Sequence, residues 1–190
     1  MTALAQAPHL AHLQNLDLFE NAIGPDGARD LARSPYLRKL TTLNLGAASL
    51  GAEGAAILAQ SPILSQLERL DLRSNNLGDA GLQALAQSSQ LGNLQALLLN
   101  ANQVGDVGAI ALAEAGNISR LTLLYLAENT IGNAGAAALA NAAHLASLTE
   151  LDLWGNAIGA AGAAALSQSP YLTNLLLLDL GGSTLDEDED

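Results

Sequence analysis

Leucines recur at a fixed interval along the chain, and each opens a unit with the same order of apolar and polar positions. Within each unit, segments such as LDL and LNL alternate apolar and polar residues, which predicts a short strand whose leucines share one face. The second half of a unit, such as GDAGLQALAQS, is rich in alanine, has helical spacing and begins beside glycine. Each unit is therefore predicted to form a strand, a turn, a helix and a loop. The opening leucines lie 27 positions apart, at Leu13, Leu40, Leu67, Leu94, Leu121, Leu148 and Leu175.

One such unit cannot bury its leucines alone, so neighbouring units must stack, with a parallel sheet on one side and helices on the other. Parallel strands repeat every ~4.8 Å, whereas packed helices need ~8–10 Å between their axes. The stack should therefore bend, with the strands on its concave side. We predict seven parallel strands, from Leu16–Leu18 to Leu178–Leu180, with six helices between them.

We predict a single domain over residues 1–185, followed by an acidic tail at 186–190. The domain is predicted to contain a partial repeat at 1–12, full repeats starting at 13, 40, 67, 94, 121 and 148, and a partial repeat from 175. Because the chain enters in mid-repeat and carries no recognisable polar cap at either end, it is expected to be a piece of a longer array or an engineered array.

The opening half of each unit resembles the leucine-rich-repeat pattern L-x-x-L-x-L-x-x-N-x-L. The units LTELDLWGNAIGAAGAAALSQSPYL and LQNLDLFENAIGPDGARDLARSPYL are most similar to ribonuclease-inhibitor-type repeats, in particular to bacterial arrays of 27-residue repeats. The resemblance implies an α/β horseshoe solenoid with a parallel β-sheet on the concave face and helices on the convex face. It also implies a non-catalytic module that binds other macromolecules. The ribonuclease inhibitor itself is rich in cysteine, whereas this chain has none, so inhibition of ribonuclease is not implied.

Two columns within the unit are predicted to be structural. The first should use asparagine side chains to bond the backbone of adjacent turns. It runs through Asn21, Ala48, Asn75, Asn102, Asn129, Asn156 and Ser183. The second contains the recurring glycines, which should serve tight turns or close helix approach.

Composition narrows the range of functions. The formal net charge of −12 disfavours nucleic acid and anionic membranes as partners. No apolar stretch approaches the ~18 residues of a membrane span, and the start lacks a signal-peptide pattern, so we expect a cytoplasmic protein. No cysteine is present, and His9, His12 and His144 do not form a ligand motif. We therefore expect no metal site and no cofactor.

The candidate binding site lies on the outward positions of the later strands. Aromatic and leucine side chains from consecutive strands should form an apolar patch with an acidic border, a combination that often marks a protein-binding site. The predicted site consists of Leu98, Leu123, Tyr125, Glu150, Asp152, Trp154, Leu177 and Asp179. Its acidic border favours a basic protein partner.

Other functions stay open. The chain could be a structural, designed or excised scaffold with no native ligand, and some relatives of this family regulate small GTPases. A homodimer through the C-terminal strand edge is a further option, because that edge has no following repeat to cover it. Asp152 and Asp179 share a column, but an open face gives little to raise a carboxyl pKa, so we predict no enzyme.

Overall fold

A computed structural model describes residues 1–183, and the predicted acidic tail at 186–190 lies outside them. Seven three-residue strands form one sheet in sequence order, and every neighbouring pair is parallel. Each strand residue pairs with the residue 27 positions further on, as Leu16 does with Leu43. The strands are β1 (Asn15–Asp17), β2 (Thr42–Asn44), β3 (Arg69–Asp71), β4 (Ala96–Leu98), β5 (Leu123–Tyr125), β6 (Glu150–Asp152) and β7 (Leu177–Asp179). The predicted strands are confirmed, each displaced by one residue.

Six α-helices connect the strands, as predicted, and a seventh, α1, precedes β1. The helices are α1 (Thr2–Ala5), α2 (Gly24–Ala32), α3 (Gly51–Ala59), α4 (Gly78–Ala86), α5 (Asp106–Ala113), α6 (Asn133–Ala140) and α7 (Ala160–Ser167). Short 3-10 helices occur at Pro8–Leu10, Pro62–Gln66 and Ala143–Leu145. Each helix packs against the next, so the helices form one layer and the sheet forms the other. The architecture is the predicted leucine-rich-repeat solenoid.

The core lies between the two layers. The middle residue of each strand points into it, and Leu43, Leu70 and Leu124 are completely buried. Because side chains alternate along a strand, the first and third residues point to the opposite side, which is the concave face. The 27-residue register stacks equivalent side chains of successive repeats in rows across this face.

The asparagine column forms the predicted hydrogen-bonded ladder. The Oδ1 of Asn102 accepts hydrogen bonds from the backbone N–H groups of Asn75 (3.0 Å) and Leu77 (3.3 Å) in the preceding repeat. Its Nδ2 donates to the carbonyl oxygens of Leu72 and Leu99. Asn75 and Asn129 repeat this arrangement. Each amide therefore satisfies buried backbone groups of two repeats.

A second ladder, which the sequence pattern did not predict, caps the later helices. The Oδ1 of Asp79 accepts from the N–H groups of Gly105 (2.7 Å) and Gly108 (2.9 Å), at the start of the next repeat's helix. Asp106 and Asn133 do the same one and two repeats further on. An acceptor at a helix start satisfies N–H groups that have no intrahelical partner.

The last strand differs from the others because no repeat covers its outer side within the described residues. Leu176 is 88% exposed, Leu177 is 44% exposed, and Leu178 is 37% exposed, although the residues equivalent to Leu178 in earlier repeats are buried. Within residues 1–183, no helix is long and apolar enough to cross a membrane.

Candidate functional site

The concave face is built from the first and third residues of each strand together with the second residue after it. The register aligns the third positions in one row, in which Leu98, Tyr125, Asp152 and Asp179 are successive neighbours. A parallel row contains Leu123, Glu150 and Leu177. The structure thus brings the predicted site residues onto adjacent strands, with Trp154 following β6.

The exposure of these residues differs from the expected patch. Leu98 is only 2% exposed and therefore offers almost no contact surface. Leu123 and Tyr125 are half-buried, whereas Trp154 is 45% exposed. Among the predicted site residues, the exposed apolar surface is therefore concentrated near β6 and β7, at Trp154 and Leu177. Leu98 is buried beneath the concave face.

Asp152 and Asp179 have a structural role in addition to their place in the predicted site. The Oδ1 of Asp152 accepts from the backbone N–H of Trp154 (3.0 Å), and that of Asp179 accepts from Gly181 (2.8 Å). Asp17, Asn44 and Asp71 make the same bond to the residue two positions on. This turn is a common local use of Asp and Asn, and the repeated L-D-L signal could have revealed it. One carboxylate oxygen of each aspartate is therefore used to hold the chain after the strand.

Tyr125 and Glu150 form a direct pair between adjacent strands. The tyrosine hydroxyl donates to Oε2 of Glu150 across 2.6 Å. This hydrogen bond, together with burial and the charges of Glu150 and Asp152, raises the pKa of Tyr125, while Arg69 opposes the shift. The phenol therefore stays protonated at neutral pH, and the pair holds the tyrosine ring in one orientation.

Trp154 rests on a glycine platform. A Cβ placed on Gly181 would lie 2.8 Å from Cδ1 of the indole, and one on Gly182 would lie 3.5 Å from Cε2. Phe19 uses Gly46 in the same way at the other end of the face, where a Cβ would lie 2.8 Å from Cδ2. Both aromatic rings are thus supported on one side by the next repeat and remain partly exposed.

A polar recess lies over β1, β2 and β3, away from the predicted site. It encloses about 310 Å³, and Thr42, Asn44, Arg69 and Arg73 contribute to its lining. The Nη2 of Arg73 lies 2.7 Å from Oδ2 of Asp71, whose side chain is almost completely buried. The ion pair raises the pKa of Arg73. Arg69, by contrast, is exposed, and within residues 1–183 it forms no ion pair.

The histidines are not grouped. Across residues 1–183, no three His, Asp or Glu side chains are placed together as metal ligands. His12 lies near Lys39, with 3.2 Å between Nδ1 and Nζ. His144 is partly buried, and this burial lowers its pKa despite a backbone hydrogen bond to Leu112.

The model of the Leucine Rich repeat family matches more than half of the chain, at residues 9–32, 65–86, 93–113, 120–140 and 144–167. The chain belongs to the leucine-rich repeat family. The matched segments leave out residues 33–64, the stretch in which Ala48 interrupts the asparagine column. A comparison with curated protein sequences gives no significant match.

Two solved structures are similar to this chain. Internalin C2 from Listeria monocytogenes is 18% identical, with a TM-score of 0.54 over 95% of this chain and 76% of that one. A plant ice-binding protein is 20% identical, with a TM-score of 0.49 over 93% of this chain and 60% of that one. At these identities the likeness to internalin C2 concerns the fold alone.

Proposed function

We propose that this leucine-rich repeat chain is a non-catalytic module that binds a protein partner on its concave face. The observation that carries the proposal is the seating of Trp154. Its indole is 45% exposed yet lies on Gly181, so binding costs little side-chain entropy. Large aromatic side chains held in this way are typical binding anchors.

Tyr125 supplies a second anchor one strand away. Its hydroxyl is fixed by Glu150, and its ring lies beside Asp152 in the strand register. Leu123 and Leu177 add apolar area on the two sides of Glu150.

The charges around these anchors favour a basic partner. Glu150, Asp152 and Asp179 lie on the last two strands, and the whole chain carries a formal charge of −12. Such a surface attracts positively charged side chains and accelerates association at low ionic strength. Binding should therefore weaken as salt is added.

Affinity capture with quantitative mass spectrometry tests the proposal. The full chain is compared with Tyr125→Ala/Trp154→Ala, followed by affinity measurements on each captured protein. Tyr171→Ala is the matched control, because that aromatic residue is 38% exposed but lies outside the strands of the concave face. We expect Trp154→Ala alone to weaken binding by about 2 kcal/mol, and Tyr171→Ala to have no effect.

Two results would contradict the proposal. Captured proteins that bind the double variant as tightly as the parent, but fail with changes on the helix side, would move the site to the convex face. If no captured protein binds the parent more tightly than the double variant, the result would favour a scaffold without a native ligand.

We also propose self-association through β7, because the exposure of Leu176 and Leu178 leaves an apolar strand edge. Unpaired strand edges are templates for pairing with another chain. Sedimentation of the full chain over a range of concentrations should show dimers, and Leu176→Lys/Leu178→Lys should show fewer. Equal monomer content in both proteins would remove this proposal.

A further inference from the structure

The charges of the concave face are arranged in bands. The row formed by the first residue of each strand contains Arg69 on β3, Ala96 on β4, Leu123 on β5 and Glu150 on β6. A cation and a carboxylate thus lie at the two ends of a short apolar stretch. The remaining acidic residues of the later strands, Asp152 and Asp179, extend the negative band.

Arg69 is the positive charge in the recess that is available to a ligand. Arg73 lies in the same recess, but its guanidinium is engaged by Asp71 through contacts of 2.7 to 3.0 Å. Thr42 and Asn44 add polar side chains beside Arg69. Asp17 also contributes to the recess, but it is on β1, two strand spacings from β3.

The geometry of the sheet sets the spacing between the two charges. Three strand spacings separate β3 from β6, which corresponds to ~14 Å. An extended peptide advances ~3.3 Å per residue, so side chains four positions apart are separated by ~13 Å. Side chains two positions apart also lie on the same face of such a peptide.

We propose that the concave face recognises an extended segment of the partner that carries an acidic residue, an apolar residue and a basic residue at every second position. The acidic side chain pairs with Arg69 in the recess. The apolar side chain lies over Ala96 and Leu123, and the basic side chain pairs with Glu150. This inference rests on the proposed binding function and specifies the chemistry of the partner.

The acidic position makes the inference specific. A chain with a formal charge of −12 attracts basic peptides without any defined site. A recurrent acidic residue at a fixed distance from a basic one is not explained by overall charge, because the acid is repelled everywhere except near a cation.

A displayed library of random twelve-residue peptides is the probe, selected in parallel on the parent chain, on Arg69→Glu and on Arg33→Glu. Arg33 has the same charge and is also exposed, but it ends α2 on the helix side. We expect the parent and Arg33→Glu to enrich peptides with acid and base four positions apart. Arg69→Glu should lose the acidic position, and peptides selected on the parent should bind it roughly fivefold more weakly.

Different failures have different meanings. Suppose that the enriched peptides bind Tyr125→Ala/Trp154→Ala more weakly than the parent, but have no recurrent acidic position or bind Arg69→Glu as tightly as the parent. This result would overturn the present inference and would still support the proposed binding function. Enriched peptides that bind the parent, Arg69→Glu and Tyr125→Ala/Trp154→Ala equally would overturn both proposals. Circular dichroism of each variant verifies that it is folded.

Discussion

Asn21 and Asn102 occupy the same position in their repeats, yet they make different bonds. The amide of Asn102 bonds backbone groups of its own repeat and of the preceding one, and the residue is completely buried. The amide of Asn21 bonds only Leu18 and Phe19 in its own repeat, and Asn21 is exposed. The backbone of the first repeat also receives no hydrogen bond from an asparagine of the second repeat, because Ala48 occupies the asparagine position there.

The helices show the same division between early and later repeats. Helices α2 to α4 begin at a glycine with a left-handed backbone, such as Gly78 at φ +58°. Helices α5 to α7 begin after an extended glycine, such as Gly105 at φ −104°, whose N–H is bonded by a side chain 26 positions earlier. Pro25 and Ala52 occupy the equivalent positions in the repeats that precede α3 and α4, and neither has a side chain that can accept a hydrogen bond. An Asp or Asn at this position of the preceding repeat therefore goes with an extended glycine before the helix, and Pro or Ala there goes with a left-handed glycine.

The largest effect is expected from breaking the asparagine ladder. Asn102→Ala leaves the N–H groups of Asn75 and Leu77 without their partner, and buried unpaired groups cost about 1–3 kcal/mol each. We expect a loss of at least about 2 kcal/mol, measured by denaturant unfolding. Asn21→Ala is the matched control and should cost less than about 0.5 kcal/mol, as exposed substitutions usually do. Equal losses would show that the exposed and buried amides do not differ in energy.

Removal of a helix cap should have the next largest effect. Asp106→Ala deprives Gly132 and Gly135 of their acceptor, and loss of an N-cap costs about 0.5–2 kcal/mol. Asp106→Asn should retain most of the stability, because Asn133 makes the equivalent bonds at 2.9 and 2.8 Å. Thermal unfolding of both variants measures the difference. A large loss in Asp106→Asn would mean that the charge, rather than the hydrogen bonds, stabilises the helix.

The two forms of helix start can be compared directly through their glycines. Gly78→Ala forces an alanine into a left-handed backbone, which costs about 1–2 kcal/mol. Gly105 is extended, and an added Cβ would be 3.4 Å from Oδ2 of Asp79, an ordinary contact. Gly105→Ala should therefore be the milder change in denaturant unfolding. The reverse order would contradict the difference between the two starts.

The smallest effect is expected when the missing amide is restored. The turn around Ala48 keeps the shape of the others, since Ala47 and Ser49 have φ values of 52° and 58°, close to those of Ser74 and Asn76. Ala48→Asn should be neutral or should stabilise by up to about 1 kcal/mol. A marked loss in the denaturant midpoint would show that the second turn has no room for the amide.

Much of this fold could be predicted because a single residue type recurs at each position that forms the strands, the core and the asparagine ladder. The leucine spacing predicted the strands and the core, and Asn75 and Asn102 predicted the ladder. The resemblance to ribonuclease-inhibitor-type repeats stays a prediction at the level of the subtype. The Asp79 caps could not be predicted in this way, because no single residue type marks their position in the repeat. The successive residues there are Pro25, Ala52, Asp79, Asp106, Asn133 and Ala160.

The candidate site could be predicted only in part. The pattern placed Tyr125, Glu150 and Asp152 on adjacent strands, as the structure does. It could not show that Leu98 is buried, because exposure depends on the size and direction of side chains in neighbouring strands. The use of Asp152 as a turn acceptor and the recess beside Arg69 also depend on three-dimensional contacts.

The asparagine ladder also has a direction, which determines how the backbone exchanges hydrogen with solvent. The amide hydrogen of Ala48 is held by Asn75, that of Asn75 by Asn102, and that of Asn102 by Asn129. Protection of a turn is therefore set by the repeat that follows it. Local opening of the fourth repeat releases the turn of the third, whereas opening of the first repeat releases no ladder hydrogen elsewhere. Exchange at Ala48 thus reports on the integrity of the third repeat, although the residue belongs to the second.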